Sequence, residues 1–198
     1  MTNTYNDARA VRTAIGGTAS WRGDLWVFGY GSLMWRPGFD VVETQAALLR
    51  GWHRRFCTRS TLHRGTPRRP GLVLGLDRGG SCRGLALRVT ARNRRRVIAY
   101  LMERELVYPL YEPRKVRLET AAGRIDALAF VVDRHGRGYA GPIGPDNAAR
   151  IIASATGQGG TNRDYLAMTA AGLADMGFAD PKLEDLLVRV DQEIAASA

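Results

Sequence analysis

In LVLGLDRGGSCRGLALRV (residues 72–89), two apolar runs flank the segment DRGGS (77–81). The pair Gly79-Gly80 supplies the backbone freedom of a tight turn. The stretch is therefore expected to fold as a hairpin, with strands over 72–76 and 82–89. Upstream, QAALLRGWHRRFCTR (45–59) has apolar positions suited to a strand pair broken at Gly51. Downstream, VRLET (116–120) and IDALAFVV (125–132) are expected strands. TLHRGTPRRPG (61–71) and GYAGPIGPD (138–146) are loops, because their prolines and glycines suit neither regular structure.

Helical signals bracket this β-rich region. Residues 91–107 form one expected helix. In the last 50 residues, AARIIASAT runs to Gly157, with Asp146 or Asn147 as its cap. RDYLAMTAAGLADM starts near Thr161-Asn162 and stops at Gly177, and Asp180-Pro181 opens KLEDLLVRVDQEIAA. Strands first with one embedded helix, then helices to the end, is the order of an α+β fold with a helical C-terminal third. Residues 1–22 are polar and rich in small side chains, and are expected to form a flexible arm before a single domain over 23–198.

The chain has 198 residues, 45% hydrophobic and 24% charged, which places it among soluble globular proteins. No apolar run approaches the ~20 residues that span a bilayer, and the first residues lack an apolar leader. A cytoplasmic location without membrane attachment is expected. Two cysteines, Cys57 and Cys82, and three histidines show no metal-ligand spacing, so no metal is expected and the cysteines read as small core residues. The net charge of +10 comes from 27 arginines against two lysines. Its densest runs are Arg92–Arg96 and the group Arg54, Arg55 and Arg59. They suit either an anionic ligand or a solvated surface. Few aromatics accompany the first run, which argues against a nucleic-acid partner.

Two features carry chemistry. WVFGYGSLMW (26–35) begins as a strand and then places glycine on both sides of Tyr30. The glycines call for a tight turn or a close approach. The segment is neither G-x-S-x-G nor a phosphate-binding loop, so structural turn and ligand cradle both remain open. The second feature is Glu105. On a helical wheel it falls in the apolar stripe with Ile98, Leu101 and Met102, whereas Glu103 falls on the polar face with Arg96. A carboxylate on an apolar face must be paired, protonated or functional. One reading is a buried salt bridge to Arg54 or Arg88; the other is an acid–base group.

Taken together, FGYGSLMWRPGF (28–39), LLRGWHRRFC (48–57), RGTPRRPGLVLGL (64–76), DRGGSCRGLAL (77–87), YLMERELV (100–107), GYAGPI (138–143) and GGTNRDYLAMT (159–169) resemble the ChaC family of γ-glutamylcyclotransferases. The resemblance covers roughly residues 25–190. It implies a γ-glutamylcyclotransferase-like fold, a small mixed β-barrel or sheet surrounded by helices. It also implies a small-molecule substrate, glutathione, cleaved to 5-oxoproline and cysteinylglycine without metal or cofactor. The family's essential glutamate matches Glu105, and its binding loop matches Tyr30-Gly31-Ser32-Leu33 after Gly29. Tyr139, Asn162 and Tyr165 match recurrent polar positions, and Arg54 is a candidate for the substrate's negative charge. Arg36 and the stretch 107–110 depart from the common pattern. Other γ-glutamyl compounds are the alternative substrates; an RNA-binding or regulatory role would leave Glu105 dispensable.

The chemistry fits these residue types. A γ-glutamyl amide carries its own nucleophile, the α-amine, which closes a five-membered ring on the γ-carbonyl. The protein need only fold the substrate, move a proton and stabilise an oxyanion. An amine near ~8 and an ordinary glutamate near ~4.3 are mismatched by about 5 kcal/mol. Every unit by which burial raises the glutamate closes about 1.4 kcal/mol of that gap.

Overall fold

A computed structural model of the chain describes residues 21–106 and 110–197. Residues 1–20, most of the expected arm, lie outside the described residues, as do 107–109 of the departing stretch. In chain order come β1 (Leu25–Gly29), β2 (Glu43–Ser60), β3 (Gly71–Val89), α1 (Arg94–Glu105), β4 (Tyr111–Thr120) and β5 (Gly123–Val132). They are followed by α2 (Pro145–Ser154), the short strands β6 (Thr156–Gly157) and β7 (Gly160–Thr161), α3 (Asn162–Asp175) and α4 (Pro181–Ala196). The order is the expected α+β one. Among the described residues, β1 to β5 close a barrel in the order β1-β3-β2-β4-β5.

Two expectations about the strands are corrected. Residues 72–89 are not a hairpin, and 45–59 do not break at Gly51. β2 is one continuous strand of 18 residues and β3 one of 19. Gly51 (φ +80°), Gly79 (φ +102°) and Gly80 (φ +65°) lie inside them with left-handed backbone. Left-handed glycine within a strand is the backbone of a bulge, which bends and twists the strand without reversing it. A sheet that closes on itself needs such bends. Around Gly51 and Gly79 an added Cβ would meet nothing within 4 Å, so it is their torsional freedom that is used.

The described chain forms two compact units, and β2 and β3 contribute residues to both. The first unit runs up to Arg54 and resumes over Leu76–Asp133. Within it β1 pairs antiparallel with β3, from Leu25↔Val89 to Gly29↔Leu85, and parallel with β5 at Val27↔Leu128. β4 pairs antiparallel with β5 from Tyr111↔Val132 to Thr120↔Gly123, and with β2 at Ala47↔Thr120 and Leu48↔Glu119. Ala127 to Val132 are buried without a break. Successive strand side chains point to opposite faces, so β5 is covered on both. α1 buries Val97, Ile98 and Leu101; of the expected stripe Ile98 and Leu101 are buried and Met102 is half-buried, with Val97 buried in addition.

The second unit comprises Arg55–Gly75 and the residues from Arg134 onward. Its helices start where proline and small polar residues direct. α2 is capped by Gly144 with Pro145 as its first residue, not by Asp146 or Asn147. Proline's fixed φ suits the first helical position, which leaves Asp146 in the first turn, where it pairs with Arg189 at 2.8 Å. Thr161 Oγ1 accepts from the Asp164 N–H at 3.0 Å, and Asp180 Oδ1 accepts from the Lys182 N–H at 3.1 Å. Both are side-chain caps, Asp180 at the expected cap and Thr161 where a helix start is expected. Cys57 and Cys82 are buried thiols.

One glycine tests the strand packing directly. A Cβ on Gly84 would sit 2.3 Å from the Gly29 carbonyl oxygen and 3.0 Å from the Phe28 ring. Gly84→Ala is expected to lose stability toward the upper end of the ~1–3 kcal/mol range for overpacking. Gly51→Ala meets only open space and should cost about 1 kcal/mol of backbone strain. Urea unfolding of the two variants checks the ranking.

Candidate active site

The site begins where β1 ends, between β3 and β5. After Gly29 and the buried Tyr30, the chain makes one 3-10 turn over Ser32–Met34. The turn is closed by Met34 N–H to the Gly31 carbonyl and Arg36 N–H to the Ser32 carbonyl, each 2.8 Å. A Cβ on Gly29 would lie 3.2 Å from Met34 Cγ and 3.3 Å from Met34 N. Glycine is used there because the turn folds back against the end of its own strand. Leu33 and Met34 are buried, whereas Ser32 is exposed. Among the described residues none accepts a hydrogen bond from the N–H groups of Gly31, Ser32 or Leu33. They are the unsatisfied donors at the start of a turn.

The chain next passes over α1. Gly38 has φ +76°, and a Cβ on it would fall 2.0 Å from the Tyr100 hydroxyl oxygen. Phe39 then meets the Tyr100 ring edge-on at 6.4 Å. A cavity bounded by Gly38, Phe39, Asp40, Arg96, Val97 and Tyr100 lies here, lined by neither the 3-10 turn nor Glu105.

α1 ends on Glu105. Its side chain is 17% exposed, and its ion-pair partner is Arg104, Nε to Oε1 at 3.1 Å. The alternative partners are engaged elsewhere. Arg88 pairs with Asp24 and Glu43 at 2.7 Å each, and the buried Arg54 donates to the Arg83 carbonyl. Burial pushes the Glu105 carboxyl above the ordinary glutamate value, and the Arg104 charge pulls in the opposite direction without cancelling it. Glu103 is exposed, as the helical wheel indicated.

Arg104 is the residue that the sequence reading missed. Its Nη2 donates to Ser32 Oγ at 3.1 Å, and its Nη1 to the carbonyls of Arg36 at 2.7 Å and Pro37 at 3.1 Å. The Tyr100 hydroxyl lies 3.3 Å from the same Nη1. One guanidinium thus touches both Ser32 of the glycine turn and the carboxylate of Glu105. The signal available was Arg104 beside the acid with Tyr100 four residues earlier, one helical turn away. Nothing in that spacing identifies a turn more than 60 residues upstream in the chain as the second partner.

The remaining candidates fall in the second unit. Asn162 is buried; its Nδ2 donates to the Leu72 carbonyl at 2.7 Å and its Oδ1 accepts from the Leu72 N–H at 2.6 Å. Its amide brackets the start of β3 to the start of α3. Tyr165 packs edge-on to Phe56 at 5.7 Å, with Arg64 5.2 Å from its ring centroid. The Tyr139 hydroxyl accepts from Arg134 at 3.2 Å, and its carbonyl accepts from Arg59 at 2.9 Å. In the arginine-rich run, Arg94 donates to the Gly23 carbonyl and Arg96 reaches Asp40 at 3.4 Å. Among the described residues no group of His, Cys, Asp and Glu side chains could hold a metal ion. No helix among them is long and apolar enough to cross a membrane.

Residues 25–193 match the model of a family described as ChaC-like protein. The chain is 37% identical over 174 residues to a glutathione-specific γ-glutamylcyclotransferase of Escherichia coli K12, covering 87% of this chain and 75% of that one. It is 32% identical over 182 residues to γ-glutamylcyclotransferase 2-3 of Arabidopsis thaliana, covering 87% of this chain and 92% of that one. In fold it is similar to a crystal structure of a yeast γ-glutamyl cyclotransferase specific to glutathione. That match has a TM-score of 0.75 at 24% identity, over 87% of this chain and 97% of that one. The closed barrel together with its helices is thus a γ-glutamylcyclotransferase-like fold.

The raised carboxyl has a consequence for stability. A folded-state pKa above the unfolded one means that the native state binds the proton more tightly. Stability linked to Glu105 is then fully present below the ordinary glutamate range and is lost as pH rises through the raised value. Glu105→Gln, which cannot ionise, should gain stability relative to wild type across that window. Denaturant unfolding from acid to neutral pH measures the difference.

Proposed function

The chain belongs to the ChaC-like family, and from that premise we propose that it is a γ-glutamylcyclotransferase cleaving glutathione to 5-oxoproline and cysteinylglycine. The observation that carries the reading is the pairing of a half-buried carboxyl, Glu105, with a turn of open backbone donors. The Arg104 guanidinium touches both Glu105 and that turn.

Glu105 in its carboxylate form takes a proton from the substrate's α-ammonium, freeing the amine. The nitrogen attacks the γ-carbonyl carbon, a C–N bond forms, and the carbonyl oxygen becomes an oxyanion. The amides of Gly31, Ser32 and Leu33 are the donors for an anionic oxygen of the substrate. Glu105 then gives its proton to the cysteinyl nitrogen as the old C–N bond breaks. The carboxylate so regenerated takes the surplus proton from the ring nitrogen and passes it to the released amine, which leaves as an ammonium. Both products leave with atoms and charge balanced, and no enzyme-linked intermediate is needed.

Burial serves this sequence because it brings the carboxyl closer to an amine that titrates near ~8, so the proton moves over a smaller gap in both directions. Arg54 and the tyrosines Tyr139 and Tyr165 are proposed as substrate-binding residues. Asn162 acts through its bracket on Leu72.

Incubation with glutathione, and in parallel with γ-glutamyl-alanine, should release 5-oxoproline from glutathione. Release from γ-glutamyl-alanine alone moves the substrate to other γ-glutamyl compounds, and release from neither overturns the activity. Glu105→Gln should lower kcat by about 10²–10⁴-fold, the range of a lost general base. Retained turnover in that variant would place the base elsewhere.

A further inference from the structure

Among the described residues, Arg104 is the one charged side chain that touches both halves of the site, and nothing in the reaction above requires it chemically. We propose that Arg104 is a positioning residue, which locks the 3-10 turn onto the end of α1 and holds the Glu105 carboxylate in place for proton transfer. The proposal rests on the cyclotransferase reading of the site and deepens it.

The geometry shows why arginine is needed. Three groups from the segment after the turn's start face the guanidinium: Ser32 Oγ at 3.1 Å, the Arg36 carbonyl at 2.7 Å and the Pro37 carbonyl at 3.1 Å. On the helix side stand Glu105 Oε1 at 3.1 Å and the Tyr100 hydroxyl at 3.3 Å. A planar fork with five N–H donors serves such a spread of acceptors; an ammonium on a flexible stem cannot reach them together. Gly38 leaves the room that lets the segment lie this close to α1, since any side chain there would overlap Tyr100. The side chain of Arg104 is 24% exposed; its contacts with Pro37 and Tyr100 are part-buried, whereas those with Ser32 and Arg36 are open to solvent.

Among the described residues Arg104 is also the charge that Glu105 feels. Tyr100 is a titratable neighbour on the same helix, touching the guanidinium, and the turn side presents a hydroxyl and two carbonyls. Burial raises the Glu105 carboxyl, and Arg104 limits the rise. A base raised without limit would stay protonated at neutral pH and could not accept the substrate's proton.

The test compares Arg104→Gln and Arg104→Lys with wild type, reading kcat and KM for glutathione across pH. Two further readouts do not depend on turnover: ¹³C NMR titration of the Glu105 carboxyl and amide exchange over residues 31–35. In Arg104→Gln the Glu105 titration and the acid limb of the rate profile should move to higher pH. Amide exchange in the turn should accelerate, and kcat should fall by about 10²-fold, the cost of a small misplacement. Arg104→Lys should keep the titration near its wild-type position, yet still show fast exchange and low kcat. If Arg104→Gln leaves the titration, the exchange and kcat unchanged, the proposal fails. It fails equally if either variant only melts earlier while the titration, exchange and kcat below the melting range are those of wild type. Should Arg104→Gln not fold, Arg104→Lys decides through exchange and kcat. A wild-type chain releasing no 5-oxoproline would sink the cyclotransferase reading, while titration and exchange would still judge Arg104.

Discussion

Closure of the barrel through β1 is the constraint on which the site rests. β1 is only five residues long, yet it pairs antiparallel with β3 along its length and parallel with β5 at Val27↔Leu128. Leu25, Val27 and Phe28 are each fully buried. A short strand held on both edges and buried on both faces has no freedom to slide, because a slip would break its register with β3 and misplace the side chains packed on either face. The glycine turn therefore leaves the barrel from a fixed point. Gly84 makes the fit tight, since nothing larger clears the Gly29 carbonyl.

At the other end of the site, two opposing effects act on one carboxyl. Desolvation raises Glu105 and the Arg104 charge lowers it, with desolvation the larger. A carboxylate left in water would be too weak a base for an amine, and one buried without a cation would not ionise near neutrality. Glu105, largely buried beside an arginine, is subject to both effects. The contacts that set this balance also tether the turn, so position and basicity are coupled through one side chain.

The long strands show how local sequence signals were right about glycine and wrong about its use. Gly51, Gly79 and Gly80 do adopt backbone that other residues avoid. Read locally, such residues indicate a reversal, and an 18- or 19-residue strand is far above the usual ~5–6. Bulges solve the same torsional problem inside a continuous strand, and the choice between bulge and turn depends on partner strands that are distant in sequence. Helix starts were legible at Thr161 and Asp180 because a cap is a contact between residues two or three apart. At α2 the same logic pointed two or three residues too far, since Pro145 displaced the cap to Gly144.

The sequence by itself determined the α+β order, the apolar stripe of α1 with Glu105 upon it, and the glycine-flanked turn after β1. All of these are set by spacing along the chain, whether the periods of helix and strand or the torsional freedom of glycine. Tertiary structure alone decided that the strands close into a barrel and that Arg104, rather than Arg54 or Arg88, is the partner of Glu105. It also decided that Asn162 brackets Leu72 and that Ser32 and Glu105 share one guanidinium. These are contacts between residues tens of positions apart, except for the neighbouring Arg104–Glu105 pair. Which of several arginines reaches a given carboxylate depends on where the backbone places it, and an arginine-rich sequence leaves that choice open.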